Sequence, residues 1–191
     1  MGGSSVRDII KMIVVLTLIG TVSGLCLSVI YQVTKAPIEY STIKFVKEPA
    51  VKKVLTGYDN DPILDRKKII IGTDERGRPI ELVVFPAKKG GSTFAVAVEG
   101  MGKGYHGLIG VMVGVSKEEK VLDIGITSHS ETPGVGSKVG EPSFTDRFKG
   151  LKAQKDLTVD GISGATFSSK GVMTAVNQAI GYVSKYKKEI F

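Results

Sequence analysis

Residues 160–169 read Asp-Gly-Ile-Ser-Gly-Ala-Thr-Phe-Ser-Ser, a run of small and hydroxyl-bearing residues just ahead of a helical pattern. From Val172 to Val183 apolar residues recur at the spacing of an amphipathic helix, and lysines gather in its last turns. The first turn of a helix presents unpaired N–H groups and partial positive charge, which stabilise an anion. The stretch therefore predicts either an anion site or a simpler arrangement, in which Ser168 or Ser169 caps the helix and Gly164 forms a turn.

The same stretch resembles a known modification signal. The pattern Asp160-x-x-Ser163-Gly164-Ala165-Thr166 is similar to the D-x-x-[ST]-G-A-T sequence at which a flavin transferase esterifies FMN, through its phosphate, to the threonine. That signal is found in the G subunit of the Rnf ion-translocating ferredoxin:NAD oxidoreductase complex and in the related C subunit of the sodium-pumping NADH:quinone reductase. The resemblance implies that Thr166 carries covalent FMN and that the other four residues shape its site.

The residue types suit this chemistry. A threonine hydroxyl is a weak nucleophile without an adjacent base, so a separate transferase is expected to form the bond. Gly164 and Ala165 leave room for that enzyme to approach. Two roles stay open for Asp160, which either orients or deprotonates the hydroxyl or caps a turn. The resulting phosphodiester keeps one negative charge, which a helix N-terminus stabilises by about 0.3–1 kcal/mol.

Two further stretches resemble segments of the same family. Residues 100–107, Gly-Met-Gly-Lys-Gly-Tyr-His-Gly, are similar to a glycine-rich segment before its central strands, and no βαβ unit surrounds them to predict a dinucleotide site. Residues 129–136, His-Ser-Glu-Thr-Pro-Gly-Val-Gly, resemble its H-x-E-T-P-G-[LV]-G loop, which lies against the flavin. The resemblance implies that Glu131, Thr132 and Gly134 bind the cofactor. Whether Glu131 and Thr132 touch the ring or shape the loop stays open.

The histidines and the cysteine do not predict a metal site. His106 and His129 are the only two histidines, and the single cysteine, Cys26, lies in an apolar run. No second ligand stands at metal-binding spacing from either histidine. His129 is expected to support its loop by hydrogen bonds, with pH sensing near the flavin as the alternative.

Residues 12–33 contain no charged side chain. These 22 residues form about 33 Å of helix, enough for a hydrocarbon core of about 30 Å, so they predict one transmembrane helix. The run is too long for a signal-peptide core, and no A-x-A site follows it. Gly20, Gly24 and Ser28 lie on one face, either as a seam for a partner helix or simply as small residues common in membranes.

The charges that flank this helix give a weak orientation bias. Arg7 and Lys11 precede it, whereas Lys35 and Lys44 follow it, so a cytoplasmic N-terminus is only slightly favoured. The family resemblance implies the same arrangement. The predicted organisation is a cytoplasmic segment 1–11, a transmembrane helix 12–33, a helical connector 34–60 interrupted at Pro49, and an extracytoplasmic FMN-binding domain 61–191.

The remainder predicts an α+β domain with a mostly antiparallel sheet and packed helices. Five candidate strands alternate or run apolar, with the late helix expected to cover one face of their sheet. Residues 74–77, Asp-Glu-Arg-Gly, predict a hairpin turn between the first two. The candidate strands are Lys68–Ile71, Ile80–Phe85, Thr93–Glu99, Leu108–Val115 and Val121–Thr127.

Composition and charge limit the function classes. The formal net charge is +7, but the lysines are dispersed along the chain and aromatic residues are 7%, which argues against nucleic-acid binding. Lipid headgroups or acidic partners fit this charge better. The resemblance implies an electron-transfer subunit of a membrane oxidoreductase, with the other Rnf-type subunits, a flavin transferase and lipid as partners. The alternatives are a C-type quinone reductase subunit and a membrane-tethered flavin sensor.

Overall fold

The structure, a computed structural model, describes residues 3–191, without the side chains of residues 3–5, 36 and 39. The chain divides into two compact units, Met1–Thr42 and Ile43–Phe191. The predicted N-terminal segment 1–11 begins with two residues that lie outside the described part of the chain.

The first unit is one helix, α1 (Gly3–Thr42), of 40 residues. Its large apolar side chains are exposed, as with Leu16 at 69%, so the helix has no apolar core of its own. By length and composition the helical stretch Val6–Val54 is a candidate membrane span. This is the apolar helix that residues 12–33 predict. An added Cβ at Gly20 or Gly24 has no neighbouring atom within 4 Å, so the seam stays a prediction.

The second unit begins with a π-helical turn, Ile43–Lys47, followed by helix α2 (Glu48–Val54). Pro49 lies in the first turn of α2, directly after the π-helical turn. The apolar face of α2 is buried, with Val51 fully inaccessible to solvent. This short helix is therefore part of the core of the second unit.

All five predicted strands are confirmed. They form one antiparallel sheet in chain order, so each pair is joined by a hairpin. Residues 74–77 form the predicted turn, in which the Gly77 N–H donates to the Asp74 carbonyl. The third strand continues four residues past its predicted end, so residues 100–103 are strand and not loop. The strands are β1 (Lys67–Thr73), β2 (Pro79–Lys89), β3 (Ser92–Lys103), β4 (Leu108–Ser116) and β5 (Val121–Ser128).

Helices cover both faces of this sheet. On one face, helix α4 (Thr166–Lys185) packs against alternate strand residues such as Val111 and Val113. On the other face, α2 packs against residues such as Met112. Successive side chains of a strand point to opposite faces, so β4 is buried along almost its whole length. The predicted α+β class and the covering late helix are confirmed.

Glycines let α4 lie unusually close to β3. A Cβ added to Gly102 would collide with the carbonyl oxygen of Gly171 and lie 2.8 Å from the nitrogen of Ala175. One added to Gly100 would collide with the carbonyl oxygen of Ala175. The glycine-dense end of β3 therefore fixes the distance between sheet and helix, and with it the position of the first turn of α4.

Between β5 and α4 the chain forms short helical turns. They are a 3-10 segment Gly136–Gly140, helix α3 (Pro142–Thr145) and a second 3-10 segment Asp146–Phe148. Phe144 and Phe148 are fully buried here, with ring centroids 5.6 Å apart. After α4 the chain ends in helix α5 (Lys187–Ile190).

Candidate functional site

Three segments distant in sequence meet around one small cleft. They are the β3–β4 turn, the loop after β5 and the first turn of α4. The cleft has a volume of about 160 Å³. It is lined by Tyr105, Glu131, Thr132, Val135, Gly136, Gly164, Ala165, Thr166, Phe167 and Ser168. The structure thus brings together residues from all three stretches that the sequence singles out.

Thr166 is the first residue of α4 and is exposed to solvent at this cleft. The residue before the helix is Ala165, and no side chain of the described residues caps the helix. Among the same residues, the Thr166 hydroxyl has no hydrogen-bond partner. The helix starts six residues before the apolar periodicity that predicts it, because three of the first four residues bear hydroxyl groups.

The prediction that Ser168 or Ser169 caps α4 is wrong. Both residues lie inside the first turn of the helix and are buried, with 2% and 1% of their surface exposed. The Ser169 hydroxyl accepts a hydrogen bond of 2.9 Å from the Ile162 N–H and so holds the preceding loop against the helix. Gly164 forms the predicted turn, with a φ of +80° that suits glycine.

Glu131 ties the three segments together. Its side chain is only 5% exposed, and its carboxylate accepts hydrogen bonds from the Ser168 hydroxyl and from the N–H groups of Tyr105 (3.2 Å) and His106 (3.0 Å). Burial by itself would raise the pKa of Glu131, but these hydrogen bonds outweigh it and hold the pKa below its ordinary value. The charged carboxylate therefore connects the loop after β5, the β3–β4 turn and the first turn of α4.

The other residues of the loop have different surroundings. The Thr132 side chain is exposed at the cleft, with its hydroxyl 3.4 Å from Nδ1 of His106. Nδ1 of His129 accepts a hydrogen bond of 3.3 Å from the Glu131 N–H, which confirms its predicted support of the loop. The Gly134 N–H donates to the Ser137 hydroxyl at 2.9 Å, and Gly134 does not line the cleft.

Asp160 and Ser163 are exposed and stand outside the cleft lining. The Asp160 carboxylate makes no hydrogen bond to any described residue. Its backbone carbonyl accepts a hydrogen bond of 2.6 Å from Nη1 of Arg147. The sequence did not predict a role for Arg147, because its contact with Asp160 joins two segments that only the fold brings together.

Two exposed aromatic side chains flank the cleft and were also missed. Tyr105 and Phe167 are 67% and 66% exposed, and their rings lie 6.2 Å apart with an interplanar angle of 42°. The His106 ring meets Tyr105 edge-on at 4.8 Å. Exposed aromatic pairs beside a cleft are suited to a planar ligand. The sequence does point to Phe167, because it is an aromatic residue that directly follows the predicted attachment residue in an otherwise polar run.

The titratable side chains do not form a metal centre. Across residues 3–191, no group of three or more His, Cys, Asp or Glu side chains is placed to hold a metal ion. His106 and His129 instead contact Thr132 and the backbone of Glu131. The arrangement fits an organic anion with an aromatic part better than a cation.

Comparison with known proteins identifies relatives of this chain. Residues 104–181, which include every residue that lines the cleft, match the family model described as an FMN-binding domain. The chain is 31% identical over 189 residues to the G subunit of the ion-translocating oxidoreductase complex of Methanosarcina acetivorans, covering 95% of this chain and 97% of that one. It is 37% identical over 111 residues to the G subunit of the proton-translocating ferredoxin:NAD(+) oxidoreductase complex of Clostridium ljungdahlii, covering 53% and 60%.

A solved structure shares the fold. The crystal structure of Shewanella oneidensis NqrC matches with a TM-score of 0.52 at 21% identity, covering 76% of this chain and 73% of that one. At this level of identity the similarity shows a common fold only.

Proposed function

This chain belongs to the family of G subunits of ion-translocating oxidoreductase complexes, and from that membership we propose that it relays electrons through FMN bound by a phosphoester to Thr166. It acts as one subunit of an oxidoreductase and is not catalytic alone. The observation that carries the proposal is the position of Thr166, exposed with an unpartnered hydroxyl among the described residues, at an uncapped helix start within the matched FMN-binding region.

The start of α4 suits a phosphate. The first N–H groups of a helix have no intrahelical acceptor, and no capping side chain of the described residues satisfies them here. A phosphodiester on the hydroxyl of Thr166 would bring an anion to these donors, stabilised by about 0.3–1 kcal/mol from the helix dipole. The turn before the helix contains Gly164, which has no side chain and therefore leaves the Thr166 hydroxyl accessible.

The walls of the cleft suit a flat, largely apolar ring. Tyr105, Phe167 and Val135 present exposed apolar surface around Thr166. Thr132 adds a hydroxyl at the same rim. We assign these four side chains to the ring, and we assign Glu131 to holding them in place, because its carboxylate is already occupied by three donors.

FMN supplies the capacity to accept and donate electrons, and the protein supplies its position and its electrostatic surroundings. We propose that neighbouring subunits of the complex deliver and remove these electrons. The proposed complex couples ferredoxin and NAD redox chemistry to sodium or proton transport. This chain contributes the fixed carrier.

Attachment requires a second protein. Thr166 has no base within hydrogen-bonding distance among the described residues, so its hydroxyl is not activated by this chain. We propose that a flavin transferase supplies that base and an activated flavin nucleotide. The Thr166 Oγ then forms the new bond to phosphorus, its proton passes to the transferase, and the nucleotide leaving group departs. Asp160 and Ser163, exposed beside the site, are available to this enzyme.

The attachment is tested by replacing the nucleophile. The full chain, co-expressed with a flavin transferase, is expected to give a fluorescent band on a denaturing gel and an intact mass raised by one flavin mononucleotide unit. Thr166→Val should abolish both signals, because valine keeps the shape of threonine but has no hydroxyl. A fluorescent Thr166→Val band would contradict the assignment.

The matched control is Thr158→Val. Thr158 is an exposed threonine outside the cleft, so its replacement should leave fluorescence and mass unchanged. If Thr166→Val and Thr158→Val both bind flavin and both lose it on denaturation, the chain holds FMN non-covalently. That result would retain the electron-transfer function and reject the phosphoester.

A further inference from the structure

We propose that the end of the domain remote from Thr166 is a docking site for an acidic surface of a partner protein subunit. A cavity of about 480 Å³ opens there, and we call it the lysine cavity. The five lysines that line it are Lys117, Lys152, Lys155, Lys185 and Lys187. The proposal does not depend on how the flavin is attached.

Backbone hydrogen bonds gather these lysines from three places in the sequence. The β4–β5 turn is joined to residues 151–153, as the Ala153 N–H donates to the Glu119 carbonyl at 2.7 Å and the Val121 N–H donates to the Leu151 carbonyl at 2.9 Å. The end of α4 and helix α5 complete the rim. Lysines that are dispersed along the sequence thus line one cavity.

The side chains that line the lysine cavity carry an excess of positive charge. Among its lining side chains, five lysines face one carboxylate, that of Glu119, which pairs with Lys187 at 2.7 Å. The dipole of α4 favours a cation in its last turn and so accounts for Lys185. It does not account for Lys117, Lys152 or Lys155, which come from other elements. Like charges that line one cavity repel each other, and an acidic partner would offset that repulsion.

The position and shape of the cavity favour a protein partner. Helix α4 has 20 residues and spans about 30 Å, so its last turn is too far from Thr166 to contact a phosphate there. Phe45 and Val46, which are near the start of this unit, lie beside Thr127 and His129 at the opposite end of β5. The floor of the cavity is apolar, formed by Ile180, Val183 and Phe191. A concave basic rim over an apolar floor fits projecting acidic side chains better than a flat lipid surface.

The test is chemical footprinting of lysine amines by acetylation and mass spectrometry. The whole complex in nanodiscs is compared with the full chain alone in the same nanodiscs. Acetylation of Lys152, Lys155 and Lys185 is expected to slow several-fold in the complex only. A carbodiimide should then join these lysines to Asp or Glu side chains of another subunit. The internal control is Lys89, an exposed lysine that is outside the cavity.

Charge reversal provides the second arm. Lys152→Glu with Lys155→Glu should weaken recovery of the other subunits with the tagged chain, and the difference from wild type should shrink as salt is raised, because salt screens the charges. Lys89→Glu with Lys138→Glu makes the same charge change elsewhere and should leave recovery unchanged. Equal acetylation in the complex and in the isolated chain would overturn the proposal. Protection of the isolated chain by anionic but not zwitterionic nanodiscs would also overturn it, since lipid would then be the ligand.

Discussion

At the scale of single residues, Glu131 decides whether the cleft keeps its shape. Its carboxylate receives the Ser168 hydroxyl and two backbone N–H groups while only 5% of the side chain is exposed. Hydrogen bonds to a charged group are each worth about 1.5–3 kcal/mol, and unsatisfied buried donors carry a penalty. The residue therefore acts through the segments that it joins.

Replacing this carboxylate should loosen the site. Glu131→Gln is expected to lower the free energy of unfolding by about 1–3 kcal/mol, because one oxygen becomes an NH₂ group that cannot accept. Ser168→Ala, which leaves the two backbone donors in place, should cost less. Hydrogen exchange should speed up at the amides of Tyr105 and His106, which donate to Glu131. Glu75→Gln, in an exposed turn, is the control, and equal exchange in both variants would refute this role.

The same interaction predicts a dependence on pH. The pKa of Glu131 in the folded protein lies below its ordinary value of 4.5, so the folded state favours the ionised form. The resulting stability is complete above that ordinary value and is lost as the pH falls through the lower folded value. Thermal unfolding of the full chain should therefore show a difference between wild type and Glu131→Gln that is constant near neutral pH and shrinks below 4.5. A difference that grows in acid would contradict this sign.

Residue-level prediction from sequence succeeded where a local motif was sufficient. Gly164 was expected to form a turn and His129 to support its loop, and both do. The place of Glu131 could not be derived, because its three donors come from segments 26 and 37 residues away. The same holds for Tyr105 and Phe167, whose proximity depends on how α4 lies on the sheet.

At the scale of elements, the contact between α4 and β3 depends on glycines, which have no side chain. Gly100 and Gly102 face the backbone of α4, and any Cβ there would collide with a carbonyl oxygen that cannot move without displacing the helix. Since Thr166 begins that helix and Tyr105 follows that strand, the same contact sets the width of the cleft.

A single methyl group tests this contact. Gly102→Ala is expected to destabilise the domain by about 1–3 kcal/mol or more, because α4 must shift to accept the new Cβ. Flavin loading at Thr166 should fall with it. Gly107→Ala is the matched control, since a Cβ there meets no atom within 4 Å and the φ of Gly107 is not positive. Urea unfolding of the full chain in detergent measures both, and equal stability would show that the helix is not held by this approach.

The elements themselves were largely readable from the sequence. The five strands were readable as short apolar segments bounded by turn residues, and β4 is a continuous apolar run because both of its faces are covered. The helix start at Thr166 was missed, since Ser168 and Ser169 are polar residues buried by specific hydrogen bonds and not by hydrophobicity. Helix α2 packs in the core through Val51 and Val54. This role was not predicted, because the segment is short and contains lysines.

At the scale of the whole molecule, the chain joins an exposed apolar helix to a compact domain of the FMN-binding family. The relatives are by name subunits of ion-translocating complexes, and this family and the candidate membrane helix together support a membrane protein. We propose that it crosses the membrane once, with residues 1–11 in the cytoplasm and the second unit outside. Helix α2, expected in a connector at 34–60 ahead of a domain at 61–191, packs in the core of that unit. The gathering of lysines into one cavity was invisible in the sequence, because it depends on the fold of three separate segments.

This topology is tested with single cysteines in a Cys26→Ser background. Thr158→Cys is expected to react with a membrane-impermeant maleimide in intact spheroplasts, because Thr158 is exposed on the domain that we place outside. Asp8→Cys should react only after the membrane is permeabilised, since Arg7 and Lys11 favour retention of that end in the cytoplasm. The reverse pattern would invert the orientation. Reaction of both cysteines in intact spheroplasts would exclude a single crossing, because two ends of one span cannot face the same side.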